Sequence, residues 1–460
     1  MQAPAYRERL TTGVVHFGPG AFHRAHQAFY VDRLLEQDPR WGIAAVSLRS
    51  PGTVEALRKQ EGLYTLAVLD AETSYRTIGA HNQFFGPGDD RAVCSLLQDP
   101  AVRIVTSTVT EKGYCLAADG SLDFEHPDIA RDLAAPGSPV SIVGWLALGL
   151  KERKAAGVAP FTPICCDNMV SNGKKLGRAV AAFAERVDPE LARWIEGEVA
   201  FPDTMVDSIT PATDQRLRDM VAEATGSHDA IPVSREAFTQ WIVQDVLPEG
   251  APDLASAGVI LAADVSAWER AKLRILNGAH SSLAYIGSLL GHGTVADAMG
   301  DAQLAAFIER LVRRDVVASL EPSPIDLQAY ASQIFERFRN PAIHHKLSQI
   351  AWDGSQKLPY RLLDTVADAI ASPRAVDQLA VPIAAWMLFI ERRANERGEI
   401  VDPLADTLIA AATTQMPVDA FLRLRQVFSP QVAENEAFRS AVEAAWRRMR
   451  SEGPRSCLGA

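Results

Sequence analysis

Two patterns of apolar positions divide the chain. Up to about residue 260, short β-rich runs at Gly13–Phe17, Ile43–Leu48, Tyr64–Leu69, Arg103–Val109 and Phe161–Cys166 alternate with longer amphipathic segments such as Phe22–Glu36 and Val140–Arg153. Alternation of this kind predicts a largely parallel, doubly wound sheet covered by helices. Beyond it, Asp301–Leu320, Gln378–Arg397 and Asn435–Glu452 carry helical periodicity, and strand candidates are few. The pattern therefore predicts an α/β fold in two domains: a Rossmann-type domain over 1–265 and a mainly α-helical domain over 266–460. The boundary is expected near Ala262–Ala267, where a β-like run, Gly258–Ala262, meets a new helix.

Composition narrows the function more than the fold. The 460 residues are 47% hydrophobic, enough to bury a core in each of two or three domains. A formal charge of −11, from 46 basic and 57 acidic residues, argues against nucleic acid or an anionic membrane as partner. The five cysteines offer no disulfide framework, and neither they nor the pairs His23/His26 and His344/His345 have metal-ligand spacing, so no metal is expected. A charged N-terminus and the lack of a long apolar run predict a cytoplasmic location.

The first candidate site is a turn. Val14-Val15-His16-Phe17 runs into Gly18-Pro19-Gly20 and then Ala21-Phe22, the strand–Gly-x-Gly–helix arrangement in which backbone amides hold a pyrophosphate. His23 stands where the full fingerprint has a third small residue, so a plain tight turn or an adenosine-binding methyltransferase fits the same string. Strand Ile43–Leu48 ends in Arg49-Ser50 rather than in the acidic residue that reads a ribose. Arg49 is suited to a 2′-phosphate, which would favour NADP or dual use, and equally to stacking on adenine or facing solvent.

The second candidate is Glu269-Arg-Ala-Lys272-Leu-Arg-Ile-Leu-Asn277-Gly-Ala-His280. At about 100° per residue, Glu269, Lys272, Asn277 and His280 share an arc of roughly 140° with Leu273, Leu276 and Leu283. Charged groups among apolar neighbours are costly without a purpose. A desolvated Lys272 is a candidate general base, Asn277 a donor to a developing alkoxide, and His280 a ligand for a hydroxyl. The alternative is a surface Glu269–Lys272 pair and a core histidine.

Six separated strings decide between these readings. Phe22-His23-Arg24-Ala25-His26-Gln27-Ala28, Thr110-Glu111-Lys112-Gly113-Tyr114, Cys166-Asp167-Asn168, Phe201-Pro202 with Met205-Val206-Asp207, Lys272-Leu273-Arg274 with Leu276-Asn277-Gly278, and Asp353-Gly354-Ser355-Gln356-Lys357-Leu358-Pro359 together resemble the mannitol dehydrogenase family of polyol-specific long-chain dehydrogenases. The resemblance implies a zinc-independent, often monomeric enzyme that uses NAD, with NADP also open, on a small polyol or sugar acid. It implies Lys272 as general base or acid, Asn168 and Asn277 as oxyanion donors, His280 as helper, Asp207 as active-site aspartate and Glu269 as a gate for proton exchange. Gly18, Gly20, Ala21, Phe22, Arg49 and Glu111 would hold the cofactor, while Lys112, Gln349 and Lys357 would contact substrate. His23-Arg24-Ala25-His26 would serve the cofactor helix and domain interface, basic residues being useful beside a pyrophosphate, with packing an equal alternative for His26.

Lys112 and Gln349 are similar to the fructuronate reductase (mannonate oxidoreductase) branch; mannitol 2-dehydrogenases tend to carry glycine and arginine there. Lys112 could pair with a substrate carboxylate that mannitol lacks, or contact a cofactor phosphate or solvent. The expected reaction is reduction of D-fructuronate to D-mannonate, with oxidation of D-mannitol to D-fructose as the alternative. A nucleotide-binding sensor without turnover is the non-enzymatic one.

Overall fold

The computed structural model describes residues 2–459. The chain divides into two compact units, Met1–Ser266 and Ala267–Ala460. The first contains strands β1 (Thr12–Phe17), β2 (Gly42–Val46), β3 (Tyr64–Leu69), β4 (Ser74–Ile78), β5 (His81–Phe85), β6 (Ile104–Ser107), β7 (Thr162–Cys165), β8 (Thr204–Asp207), β9 (Val233–Glu236), β10 (Gln240–Gln244) and β11 (Ile260–Ala262). Five of them form an all-parallel sheet in the order β5-β2-β1-β6-β7. The chain winds outward from β1 to β2 and β5 on one side, and to β6 and β7 on the other. The order therefore reverses at β1.

Every residue of β1 and β2 is buried, as a sheet covered on both faces requires. Val15 and Phe17 pack with Val105, Trp145 and Phe161 on one side. Val14 on the other side joins Ile43, Ile104, Tyr30 and Trp41. Two three-stranded sheets complete the unit, β11-β10-β8 and β4-β3-β9. The segment predicted as one helix over Phe22–Glu36 is two, Ala21–Ala25 and Gln27–Leu35. Between them His26 leaves helical geometry, at φ −118° and ψ −85°, and its buried imidazole meets the Gln240 carbonyl at 2.9 Å.

The second unit is helical around a single apolar core. Asp377–Asn395, with Trp386 wholly buried, packs against Glu436–Glu452 and Gly278–Leu289. Among the described residues three stretches are π-helical: Lys272–Asn277, Leu311–Val316 and Pro359–Leu363. The helix expected over Asp301–Leu320 is thus composite. It starts as an α-helix at Ala302–Arg310, where Asp301 accepts from the Gln303 and Leu304 amides, and then widens. No helix among the described residues is long and apolar enough to cross a membrane.

Candidate active site

The glycine turn sits where the strand order reverses, at the carboxyl end of β1, the location at which open parallel sheets bind ligands. The Gly18 amide donates to the Val46 carbonyl at 2.9 Å, and Thr108 Oγ1 donates to the Gly18 carbonyl at 2.7 Å, so the turn is fastened to the ends of β2 and β6. Gly18 has φ +90°, and a Cβ there would lie 2.2 Å from the Thr108 carbonyl oxygen. Gly20 is different. It is exposed, and a Cβ on it would find only the Gly18 oxygen, at 3.9 Å. Gly20 also leads into a first helical turn that has no side-chain cap. Open space beside uncapped amides fits the pyrophosphate of a dinucleotide.

The basic residues that follow do not line that space. His23 is buried, stacked on His16 with ring centroids 3.3 Å apart, and Nε2 to Nε2 with His81 at 2.9 Å. Burial keeps His16, His23 and His81 neutral, with His16 pushed down to about 3. Arg24 donates to the Pro19 and Ile231 carbonyls. The expectation of basic residues beside the pyrophosphate is corrected accordingly for His23 and Arg24, which are buried in packing under the turn, while His26 takes the packing role that was its alternative. At the carboxyl ends of β2 and β5 lies a cavity of about 200 Å³, lined by Ser47, Leu48, Gly86, Pro139 and Trp145 among others. Arg49, just beyond β2, is exposed and pairs with Asp128 at 2.5 Å.

The loops after β6 and β7 are joined by one carboxylate. Asp167 accepts from the Val109 and Thr110 amides at 2.9 and 3.2 Å and from the Tyr114 hydroxyl at 2.7 Å. Burial raises its pKa to about 6, against those three hydrogen bonds and with a further push from Glu111. Thr110 is held at φ +65°, a conformation rare outside glycine. Glu111 and Lys112 are exposed on the following turn, and Asn168, next to Asp167, is exposed as well. Asn172 had no place in the sequence reading. Its side-chain amide donates to the Cys165, Asp167 and Thr204 carbonyls, and its oxygen accepts from the Thr204 amide at 2.8 Å. Asn172 thereby locks β7 to β8, the strand that ends in buried Asp207. The Asn172-Gly173 pair was the available signal: a Cβ on Gly173 would fall 2.3 Å from the Pro202 carbonyl oxygen.

In the helical unit, Glu269 and His280 are buried while Lys272 and Asn277 are half-buried. The uniform helix predicted here is replaced by a π-helix over Lys272–Asn277. The correction matters chemically. In an α-helix of 3.6 residues per turn, positions five apart are about 140° apart; an i→i+5 ladder brings them toward the same side. Lys272 and Asn277 are such a pair. The second π segment, Pro359–Leu363, packs against the first. Gly278 permits this approach, since a Cβ there would lie 2.7 Å from the Arg361 carbonyl oxygen. Arg274 faces away from this chemistry, bound to Asp368 at 2.5 Å and Ser319 Oγ at 3.1 Å.

His280 stacks on Phe338, with centroids 4.3 Å apart, and meets His345 edge-on at 5.0 Å. Burial, aided by His345, Arg337 and Arg361, keeps it neutral, and its Nε2 has no hydrogen-bond partner among the described residues. Half-buried Lys357 contacts the Ile350 carbonyl at 3.5 Å, and burial followed by the Arg361 charge lowers its pKa. The Asp353–Lys357 string is braced by Asp402, which accepts from the Ser355 amide and hydroxyl at 2.8 and 2.5 Å. Gln349 is exposed.

All five cysteines are free thiols. One trio escaped the sequence reading, which found no metal spacing: Cys115, His126 and Asp128 bring potential ligand atoms within 4.8 Å of one another. Its groups are already engaged, because Asp128 holds Arg49 and His126 Nδ1 accepts from the Asp128 amide at 3.2 Å.

A parallel doubly wound sheet with a glycine turn at its reversal point, followed by an all-helical unit, is the plan of a dinucleotide-dependent oxidoreductase. The Rossmann domain model of mannitol dehydrogenase matches residues 12–256, and the mannitol dehydrogenase C-terminal domain model matches residues 264–450. The chain belongs to the mannitol dehydrogenase family and is an oxidoreductase. It is 40% identical to the D-mannonate oxidoreductase of Escherichia coli (strain K12), across 98% of this chain and 96% of that one. The crystal structure of a D-sorbitol dehydrogenase in substrate-free form matches with a TM-score of 0.93 at 32% identity, covering 100% of this chain and 97% of that one. A ternary complex of Pseudomonas fluorescens mannitol 2-dehydrogenase with NAD and D-mannitol matches with a TM-score of 0.82 at 34% identity, covering 98% and 94%.

Proposed function

We propose that this enzyme is a cytoplasmic, NAD-dependent reductase of an open-chain sugar acid, converting D-fructuronate to D-mannonate. The observation that carries the chemistry is the π-helical turn that brings Lys272 and Asn277 toward one side of their helix. When bound, the nicotinamide supplies the hydride. Lys272 gives its proton to the substrate oxygen during reduction and takes it back in oxidation. Asn277 and Asn168 donate amide N–H groups to that oxygen as it gains negative charge. Neutral His280 orients a substrate hydroxyl, Asp207 takes the role of active-site aspartate, and Glu269 passes protons between Lys272 and water. Lys357 binds a hydroxyl or carboxylate of the substrate, and Gln349, on the preceding helical turn, contacts the substrate as well. Gly18, Gly20, Ala21 and Phe22 hold the pyrophosphate, with Glu111 on the neighbouring turn.

The Arg49–Asp128 pair supports NAD over NADP. A 2′-phosphate approaching Arg49 meets a carboxylate 2.5 Å from the guanidinium, whereas ribose hydroxyls can donate to that carboxylate. The sugar acid is favoured by Lys112, a cation on an exposed turn, and by the D-mannonate oxidoreductase relative. The mannitol 2-dehydrogenase complex favours D-mannitol as the second reading. A panel of mannonate, mannitol, sorbitol, arabinitol and altronate with NAD and NADP separates them. Mannonate with NAD should give the highest kcat/KM; a clear preference for mannitol would overturn the sugar-acid assignment.

A further inference from the structure

We propose that Arg361, assisted by His345, reads the carboxylate of the substrate, so that the helical unit itself separates a sugar acid from a neutral polyol. This rests on the sugar-acid reading above. Arg361 belongs to the π-helical segment whose backbone abuts Gly278, directly after Asn277. Its side chain is half-buried, and among the described residues its hydrogen-bond partner is the Ser281 hydroxyl, 3.2 Å from Nη1. A guanidinium offers five N–H donors in a planar fork, and a partly desolvated one served by a single neutral hydroxyl lacks a counter-anion.

Its surroundings repeat the imbalance. His280 Nε2 and His345 Nδ1 are buried without hydrogen-bond partners among the described residues, on rings 5.0 Å apart. The Lys357 ammonium has only a long contact to a carbonyl. Asp353 and Asp402 lie close enough to influence Lys357, but Asp402 is occupied by Ser355 and the Leu404 amide, and among the described residues neither carboxylate forms an ion pair with Lys357 or Arg361. Two cations without a bound carboxylate and two imidazoles, each with one unpartnered nitrogen, around one segment call for a planar anion with acceptor oxygens. A carboxylate matches the fork of Arg361 bidentately, which a polyol hydroxyl cannot do.

The test compares kcat/KM for fructuronate, fructose and fructose 6-phosphate with NADH, using the full-length wild type, Arg361→Gln, Arg361→Lys and His345→Asn. NADH affinity and thermal melting report on folding. Arg361→Gln should lower the fructuronate-to-fructose ratio about 10- to 100-fold, mainly through KM, as expected for a lost charged hydrogen bond. Arg361→Lys should recover part of that ratio, and His345→Asn should lower it less. An unchanged ratio in an Arg361→Gln protein that binds NADH and melts as the wild type does overturns the proposal. If Arg361→Gln does not fold, an unchanged ratio in both Arg361→Lys and His345→Asn overturns it. A wild type that prefers fructose or fructose 6-phosphate overturns the sugar-acid reading first, and this proposal with it.

Discussion

Gly18 and Gly20 stand two residues apart in one turn, yet exchanging each for alanine should have opposite consequences. At Gly18 the backbone has φ +90°, which costs an L-residue about 1–2 kcal/mol. The new Cβ would also lie 2.2 Å from the Thr108 oxygen and 2.9 Å from its carbon, both backbone atoms at the end of β6. Moving them adds about 1–3 kcal/mol of overpacking. The sum, about 2–5 kcal/mol, should lower Tm by roughly 4–9 °C in a unit of this size. At Gly20 the backbone, φ −68° and ψ −175°, is open to any residue, and the methyl group meets no atom closer than 3.9 Å. Gly20→Ala should therefore melt within about 1–2 °C of the wild type, the range of a neutral surface change. It should nevertheless bind NADH about 10- to 100-fold more weakly, because the methyl occupies the approach of the pyrophosphate to the amides. Calorimetry gives the first quantity and NADH fluorescence titration the second. A Gly20→Ala protein with wild-type NADH affinity would show that the turn is only structural. An undisturbed melting point for Gly18→Ala would refute the steric argument.

Four further outcomes are expected. Lys272→Ala should lower kcat by about 10²- to 10⁴-fold while NADH titrates as before; near-normal turnover at neutral pH would remove the lysine from proton transfer. Lys112→Gly should raise KM for fructuronate more than for fructose, and equal changes would end its part in carboxylate recognition. Asp128→Asn frees Arg49 and removes a charge that repels a 2′-phosphate, so the kcat/KM ratio of NADPH to NADH should rise about two- to fivefold; a constant ratio would place the discrimination elsewhere. Asp167, raised from 3.8 to about 6 by burial, binds its proton more tightly in the folded protein than in the unfolded one. Its contribution to stability is full below about pH 4 and is lost as pH rises through about 6, at most about 3 kcal/mol. Asp167→Asn should remove that slope, so melting curves of variant and wild type that stay parallel from pH 4 to 6.5 would contradict the assignment.

Four of the five strands of the parallel sheet were legible because they are buried on both faces and rich in apolar residues: Thr12–Phe17 and Gly42–Val46 depart from the expected ranges by two residues at most, whereas half-buried β5, with Asn82 and Gln83 at its centre, was not expected. Of the smaller sheets only Tyr64–Leu69 and the run ending at Ala262 were legible, and Tyr64–Leu69, expected within the parallel sheet, belongs instead to the β4-β3-β9 sheet. Ser74–Ile78 and Val233–Glu236 mix polar with apolar residues, so no clean local period marks them; Ser74–Ile78 pairs with the neighbouring Tyr64–Leu69, whereas the partner of Val233–Glu236 in that same strand lies far away in sequence. Phe22–Glu36 looked continuous because its periodicity survives the break at His26. What breaks the helix there is a hydrogen bond to the Gln240 carbonyl, 214 residues on, and no window of sequence contains it.

The helix carrying Lys272 sets the limit more sharply. Its residue types pointed to proton transfer, and the resemblance assigned the roles, but the geometry imposed on it, a constant step of about 100°, is wrong where it matters most. Propensity cannot signal a π-helix over Lys272–Asn277, because leucine, isoleucine, lysine and arginine serve an α-helix equally well or nearly so. The widened turn is instead decided by what faces it. Gly278 lets the Arg361 backbone come within a distance no side chain would allow, and the opposing segment, beginning at Pro359, is π-helical as well. Two widened turns in contact place Lys272, Asn277 and Arg361 on adjoining backbone. Gly278→Ala should consequently impair catalysis through both segments at once, lowering turnover and acid-substrate selectivity together. A variant that lost only stability would show that the paired π turns serve packing alone.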